Sequence, residues 1–317
     1  MAAGESTRVV IVAFLGNALI AASKLGAAAF TGSSAMFAEG VHSIVDSGNQ
    51  LLLLHGMKQS KRPADRKHPF GYGKEVYFWS FVVAILLFSI GSGVSLYHGV
   101  EKILHPHPVE NPYVNFVVIG LAVIFEGYAL RAAVVEMNRR RQDESVLHYV
   151  RRSKDAPLVV VLLEDTGALI GLATAALALL GAQIFGIPEL DGLASVLIGI
   201  LLAAAAIILA VETKGLLIGE AAEPHVQAGI EAILKSDARI LAINEILTMH
   251  MGPEDIFCAL SVDFKDGESS IDVEASISDL EATIKDAFPA IKRVFIEAQS
   301  VSGHRRSQRA AAQAAGS

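Results

Sequence analysis

Six long apolar runs, at 9–30, 33–57, 76–100, 113–135, 157–180 and 192–211, fill the first two thirds of the chain, and each is long enough to cross a bilayer as a helix. The polar stretches between them are unequal in charge. The second-to-third connection holds Lys58, Lys61, Arg62, Arg66, Lys67 and Lys74, and the fourth-to-fifth holds Arg139, Arg140, Arg141, Arg151, Arg152 and Lys154, whereas the other three contain only Lys102. Basic loops stay on the cytoplasmic side, so this asymmetry places the N-terminus and everything beyond the sixth run in the cytoplasm. The first run is of full span length with a single basic residue before it, and it reads as a span rather than a cleavable signal.

Beyond residue 211 the periodicity changes. Val226, Ile230, Ile233 and Leu234 have helical spacing behind Pro224. Ile256, Cys258, Leu260, Val262 and Phe264 alternate as a half-buried strand, and Val273, Ile277, Leu280, Ile284 and Phe288 return to a helix that Pro289 stops. Strands near 242–251 and 292–298 complete an α-β-β-α-β order, with Gly252-Pro253 as the hairpin turn and Asp266-Gly267 in the loop to the second helix. The fold class expected is an α-helical membrane protein of six transmembrane helices (1–211) followed by a cytoplasmic α+β, ferredoxin-like domain (212–300) with two helices on one sheet face. So small a domain has a limited core, and dimerisation through it is expected. The Arg-, Ala- and Gln-rich end, 301–317, is expected to be disordered.

Composition agrees with this division. The 317 residues are 52% hydrophobic and 19% charged, with a mean hydropathy of +0.47, too apolar for an ordinary soluble domain. The net charge of −7 resides after the last span, where 17 acidic side chains face 7 basic ones between Glu212 and Gln299. A single cysteine, Cys258, excludes a disulfide framework or a multi-cysteine zinc cluster. Nothing in the chain points to nucleic acid, and no resident cofactor is implied.

Chemistry enters in the second run. On a helix, His42 and Asp46 lie within about 40° of each other, Asn49 about 20° to the other side and Glu39 about 60° away, which makes one narrow polar stripe. An unpaired carboxylate in hydrocarbon is penalised by about 2.5–3.5 kcal/mol, so the stripe must face protein, water or an ion. The fifth run carries a second polar insertion, Glu164-Asp165-Thr166. Adjacent carboxylates diverge by about 100°, so one of the two is the better ligand. Gly167 and Gly171 allow a neighbouring helix to approach. His42, Asp46 and one of these carboxylates offer the nitrogen and oxygen donors of a zinc site, and Mn2+, Fe2+, Co2+, Ni2+ and Cd2+ suit such a shell as well. Ionised and empty, the site is costly in a membrane, so protons should replace the leaving metal.

At these residues the chain resembles the cation diffusion facilitator family of zinc and related divalent-metal transporters. The resemblance rests on Thr31-Gly32-Ser33-Ser34, His42-x-x-x-Asp46, the loop His68-Pro69-Phe70-Gly71-Tyr72-Gly73-Lys74, Asp165, and the layout of spans and tail, together covering 9–299. It implies a tetrahedral transport site of two carboxylate or histidine groups from each of the second and fifth spans, a homodimer, and metal export against protons. The paired Glu164-Asp165 is similar to the branch containing the mammalian mitochondrial zinc exporter. In a chain without an organelle-targeting segment, a bacterial plasma membrane is the expected setting.

The chain also departs from that pattern. Val161 stands four residues before Asp165, where many members carry His or Asp, so the fourth ligand is open among Glu164, Glu39, Asn49 and water. A further site in the family's tail domain would fall on His225, His250 and Glu297, and a loop site in some relatives on Asp65 and His68, where Tyr72 replaces a histidine. Glu126 and Arg131 in the fourth run are open between an ion pair, a proton path and groups reaching the interface. A membrane metalloenzyme is disfavoured, since no His-Glu-x-x-His stretch or serine nucleophile context occurs. A metal-responsive regulatory or structural membrane protein, with a sensing tail and anchoring spans, is the alternative.

Overall fold

A computed structural model describes residues 3–141, 145–146, 149–150 and 153–315. Arg151 and Arg152 of the second basic loop lie outside the described residues. The chain divides into two compact units, Met1–Lys61 with Glu75–Lys214, and Arg62–Lys74 with Gly215–Ser317.

The first unit is helical: α1 (Ala3–Thr31), α2 (Ser34–Ser60), α3 (Glu75–Leu86), α4 (Gly93–Leu104), α5 (Pro112–Arg140), α6 (Ala156–Phe185) and the greater part of α7 (Glu189–Ile218). A π-helical stretch, Leu87–Ser92, joins α3 and α4 into one rod from Glu75 to Leu104. That rod and Pro112–Arg139, Ala156–Phe185 and Glu189–Ile218 are four helices long and apolar enough to cross a membrane. α2 matches them in length, but Glu39, His42, Asp46 and Asn49 dilute its apolar character.

Local chemistry sets where α2 begins. Gly32, at φ +67°, ends α1 in the left-handed conformation that glycine adopts without strain, its N–H donating to Ala28 O at 2.8 Å. Ser33 then caps α2 by accepting from Met36 N. Asp191, fully buried in the first turn of α7, accepts from Ser33 Oγ and from Ser34 N, each at 2.6 Å, and Lys102 Nζ stands 4.0 Å from it. A carboxylate at a helix N-terminus satisfies orphan N–H groups and opposes the helix dipole. So anchored, α2 packs against α1, α3, α4 and α6. Small side chains such as Ala28, Ala35, Ala38 and Ala175 let the backbones approach, with Leu172, Ile198 and Leu202 filling between them. Phe125, Tyr128, Leu177, Ile184 and Ile207 point outward and exposed, an apolar surface of the kind a bilayer covers.

The second unit holds α8 (Pro224–Ser236), β1 (Ile240–Gly252), β2 (Asp255–Phe264), α9 (Ser270–Ala287), β3 (Ile291–Ala298) and α10 (Val301–Ala315). The strand order is β1-β2-β3, antiparallel between the first two and parallel between the last two. Val226, Ile230 and Leu234 of α8 and Leu280 and Ile284 of α9 bury Cys258, Leu260 and Val262 on one sheet face. The α-β-β-α-β order matches the periodicity.

The end of the chain corrects the expectation of disorder, since it is helical from Val301 to Ala315. Asp263 Oδ2 accepts from Val301 N at 3.0 Å, and Ser300 Oγ from Gly303 N at 3.2 Å. With its first turn capped from within the sheet, a run of Ala, Arg and Gln, all strong helix formers, propagates.

Candidate functional site

The α2 stripe forms as the helical spacing requires. His42 Nδ1 lies 3.3 Å from Asp46 Oδ1, the imidazole buried and the carboxylate nearly so. One turn further, the fully buried Asn49 donates through Nδ2 to Glu164 Oε1 on α6 at 2.5 Å. Asp46, Glu164 and Asp165 line a common narrow recess of about 10 Å³ together with Asn17, Ser43, Gln50, Glu126 and Val161. Its walls therefore come from α1, α2, α5 and α6. Asp46 Oδ1 and Asp165 Oδ2 are buried without hydrogen-bond partners. Unsatisfied carboxylate oxygens at that depth are costly unless a proton or cation meets them. The donor set of imidazole and carboxylates fits a divalent ion of the zinc type. Among the described residues no three His, Cys, Asp or Glu side chains stand close enough to hold an ion as they are, so the donors surround the recess rather than clasp one point.

Glu39 takes a different direction from the rest of the stripe. Its Oε2 meets Lys24 Nζ of α1 at 3.0 Å, with both side chains fully enclosed. The carboxylate fills the space beside Gly171 of α6, where a Cβ would collide with Oε1. The same ammonium donates to Ser43 Oγ at 2.8 Å and reaches Glu126 Oε1 of α5 at 3.5 Å. Lys24 thus joins α1, α2 and α5 next to the recess. It is the residue that reading the apolar runs for their flanking charges overlooks. The signal was a lysine inside the 9–30 run, where it cannot stand without partners. For Glu126 the partner present is Lys24.

In the second unit the secondary candidates are dispersed. Asp65 serves a turn: its Oδ1 accepts from Lys67 N at 2.9 Å and His68 N at 2.7 Å, and its Oδ2 from Tyr72 OH at 2.7 Å. The Tyr72 hydroxyl and the His68 N–H hold this exposed carboxyl below the usual range. His68 Nδ1 is 3.6 Å from Asp65, with its ring tilted against Tyr72. His225 is exposed on α8 beside Glu223. His250 is buried on β1 opposite Ile256, which faces Ile291 on β3. Glu297 lies six residues beyond Ile291, about 20 Å along the strand, and lines the uncovered sheet face with Glu245. His250 and Glu297 therefore stand at separate ends of the sheet.

Residues 10–218 match the cation efflux transmembrane domain. The chain is 35% identical over 259 residues to the Xenopus laevis protein named proton-coupled zinc antiporter SLC30A9, mitochondrial, covering 81% of this chain and 46% of that one. The human protein of the same name is 33% identical over the same coverage. Metal tolerance protein C4 of Arabidopsis thaliana is 32% identical over 262 residues, 82% of this chain and 57% of the relative. The chain spans about half the length of these relatives. With the domain match spanning both polar insertions, the chain belongs to the cation efflux family.

Proposed function

We propose that this protein is a secondary transporter, not an enzyme, that exports Zn2+ or a related divalent cation (Mn2+, Fe2+, Co2+, Ni2+ or Cd2+) from the cytoplasm in exchange for protons. The observation that carries the reading is the recess that Asp46 of α2 lines with Glu164 and Asp165 of α6, where Asp46 Oδ1 and Asp165 Oδ2 are buried without a hydrogen bond. The relatives' names, proton-coupled zinc antiporter and metal tolerance protein, support the cargo and the coupling.

The chemistry follows from charge. Four carboxylates, Asp46, Glu126, Glu164 and Asp165, line the recess, and the ammonium of Lys24, paired with Glu39, reaches one of them, Glu126. Facing the cytoplasm, deprotonated Asp46 and Asp165 with His42 take up a dication. Facing outward, protons neutralise the same groups, weaken coordination and release the ion. Either occupant makes the buried charge tolerable, so the unoccupied, ionised state is the one avoided during the change of access. Asn49 holds Glu164 toward α2, so a shift of α6 against α2 alters both carboxylates of the pair. Six helices span the membrane in this reading, with both basic loops and both termini on the cytoplasmic side of a bacterial plasma membrane. Two copies pair, supported by the sheet face that α8 and α9 leave uncovered, where Leu247 and Phe295 are exposed.

The test is Zn2+ entry into proteoliposomes with an imposed pH gradient. Flux that rises with the gradient and is absent from protein-free vesicles is expected. Binding of Zn2+ without flux under any gradient would favour a metal-responsive regulatory protein instead.

A further inference from the structure

Glu126 stands where two sets of contacts meet. Its Oε1 lies 3.5 Å from Lys24 Nζ, a looser contact than the 3.0 Å to Glu39 and the 2.8 Å to Ser43 made by the same ammonium. The same side chain lines the recess with Asp46, Glu164 and Asp165. It is only 13% exposed, so little water replaces a lost partner. Lys24 keeps a short ion pair with Glu39 and a hydroxyl acceptor without it, whereas Glu126 has its cation only at that longer distance. On the α6 wall of the recess Val161 presents methyl groups one turn before Asp165, and Glu164 is engaged by Asn49. α5 packs against both α1 and α6. A glutamate on it can therefore turn from one neighbour to the other by changing side-chain rotamers alone.

We infer that Glu126 is an exchangeable ligand for the transported ion. Held by Lys24, it turns to a dication in the recess and supplies an oxygen from α5 beside those of Asp46 and Asp165. Lys24 remains neutralised by Glu39, so the exchange strands no buried charge. Lys24 then acts as a positioning residue that competes with the cargo for Glu126 and sets the affinity of the site. This inference rests on the transport site proposed above and adds to it a donor from a third helix.

The experiment is Zn2+ titration calorimetry on the full chain in detergent micelles. Lys24→Met with Glu39→Gln removes the buried ion pair as a unit and frees Glu126 from its cation, and this variant is expected to bind Zn2+ at least as tightly as the parent. Adding Glu126→Gln to it is expected to weaken binding about tenfold or more, at least the cost of losing a partner that supports a metal ligand. A change below about twofold in that background, well under the cost of such a partner, would mean that Glu126 serves only Lys24, and the inference falls. Should the double variant fail to give a monodisperse protein, Glu126→His and Glu126→Gln in the otherwise unaltered chain decide. Histidine is a metal donor without the negative charge that pairs with Lys24, so binding kept by Glu126→His and lost by Glu126→Gln is expected, and equal loss in both overturns the inference. Asp46→Asn is the separate control: parental binding there would remove the transport site itself, whereas lost binding there with Glu126→Gln unaffected would remove only the role of Glu126.

Discussion

Asn49 and Glu164 meet at 2.5 Å across two helices, the amide nitrogen of one donating to the carboxylate of the other. This contact separates the two acids of the α6 pair, committing Glu164 to α2 while Asp165 keeps an oxygen without a hydrogen-bond partner. Asn49→Ala removes the donor and leaves a buried carboxylate unsatisfied. The expected cost is about 1–3 kcal/mol, read as a lower thermal midpoint in detergent. An unchanged midpoint would mean that the contact carries no stability.

Gly171 is expected to tolerate no side chain, because a Cβ there meets the Glu39 carboxylate, itself fixed by Lys24. Gly171→Ala should destabilise by about 1–3 kcal/mol through overpacking. Combining it with Glu39→Asp, which draws the carboxylate back by one methylene, should recover part of the loss. A double variant no more stable than Gly171→Ala alone would place the clash elsewhere.

Asp191 holds the start of α2 through Ser33 and Ser34 and faces Lys102. Replacing it with Ala removes the acceptor of Ser33 Oγ and Ser34 N and the negative charge facing Lys102, which keeps Gly32 O at 2.8 Å and His107 Nδ1 at 2.6 Å. The expected loss is about 1–3 kcal/mol, the scale of buried donors left without their acceptor. The stripe on α2 hangs from this cap, so Zn2+ affinity should fall with stability. Parental stability in Asp191→Ala would show that other contacts position the helix.

Cys258, the only cysteine in the chain, is fully buried on β2, and burial pushes its thiol up to about 11. An unfolded thiol ionises near about 8.5. The folded value is the higher one, so the stabilisation is complete below the unfolded pKa and is lost as pH rises toward the folded one. Alkylation by iodoacetamide should therefore be negligible at neutral pH. It should speed up between about pH 8.5 and 11 in step with unfolding of the sheet, ahead of what thiol ionisation in the folded state alone gives. Rapid labelling of the native chain at neutral pH would contradict this packing.

The polar stripe of α2 was legible because a 3.6-residue repeat fixes which side chains share a face, and His42, Asp46 and Asn49 do. The direction of Glu39 was not, because its partner is a lysine on another helix whose depth in the first apolar run had to be weighed together with it. The strands and helices of the tail could be read from periods of 2 and 3.6 residues. Its last helix could not, since Arg, Ala and Gln serve a helix and a disordered end equally well, and what decides is a cap from Asp263, 38 residues earlier in the chain. Asp65 and His68 likewise read as a ligand pair by type, whereas the backbone of their turn already occupies the carboxylate.

The central claim is that Asp46 and Asp165, from separate helices, act on one ion. Equilibrium Zn2+ binding to the purified full chain tests it with Asp46→Asn, Asp165→Asn and the two combined. Each single change is expected to abolish most of the binding, and the pair to cost little more than either alone, as for groups that act as a unit. Parental binding in both single variants, or losses that simply add as for two independent sites, would contradict the account.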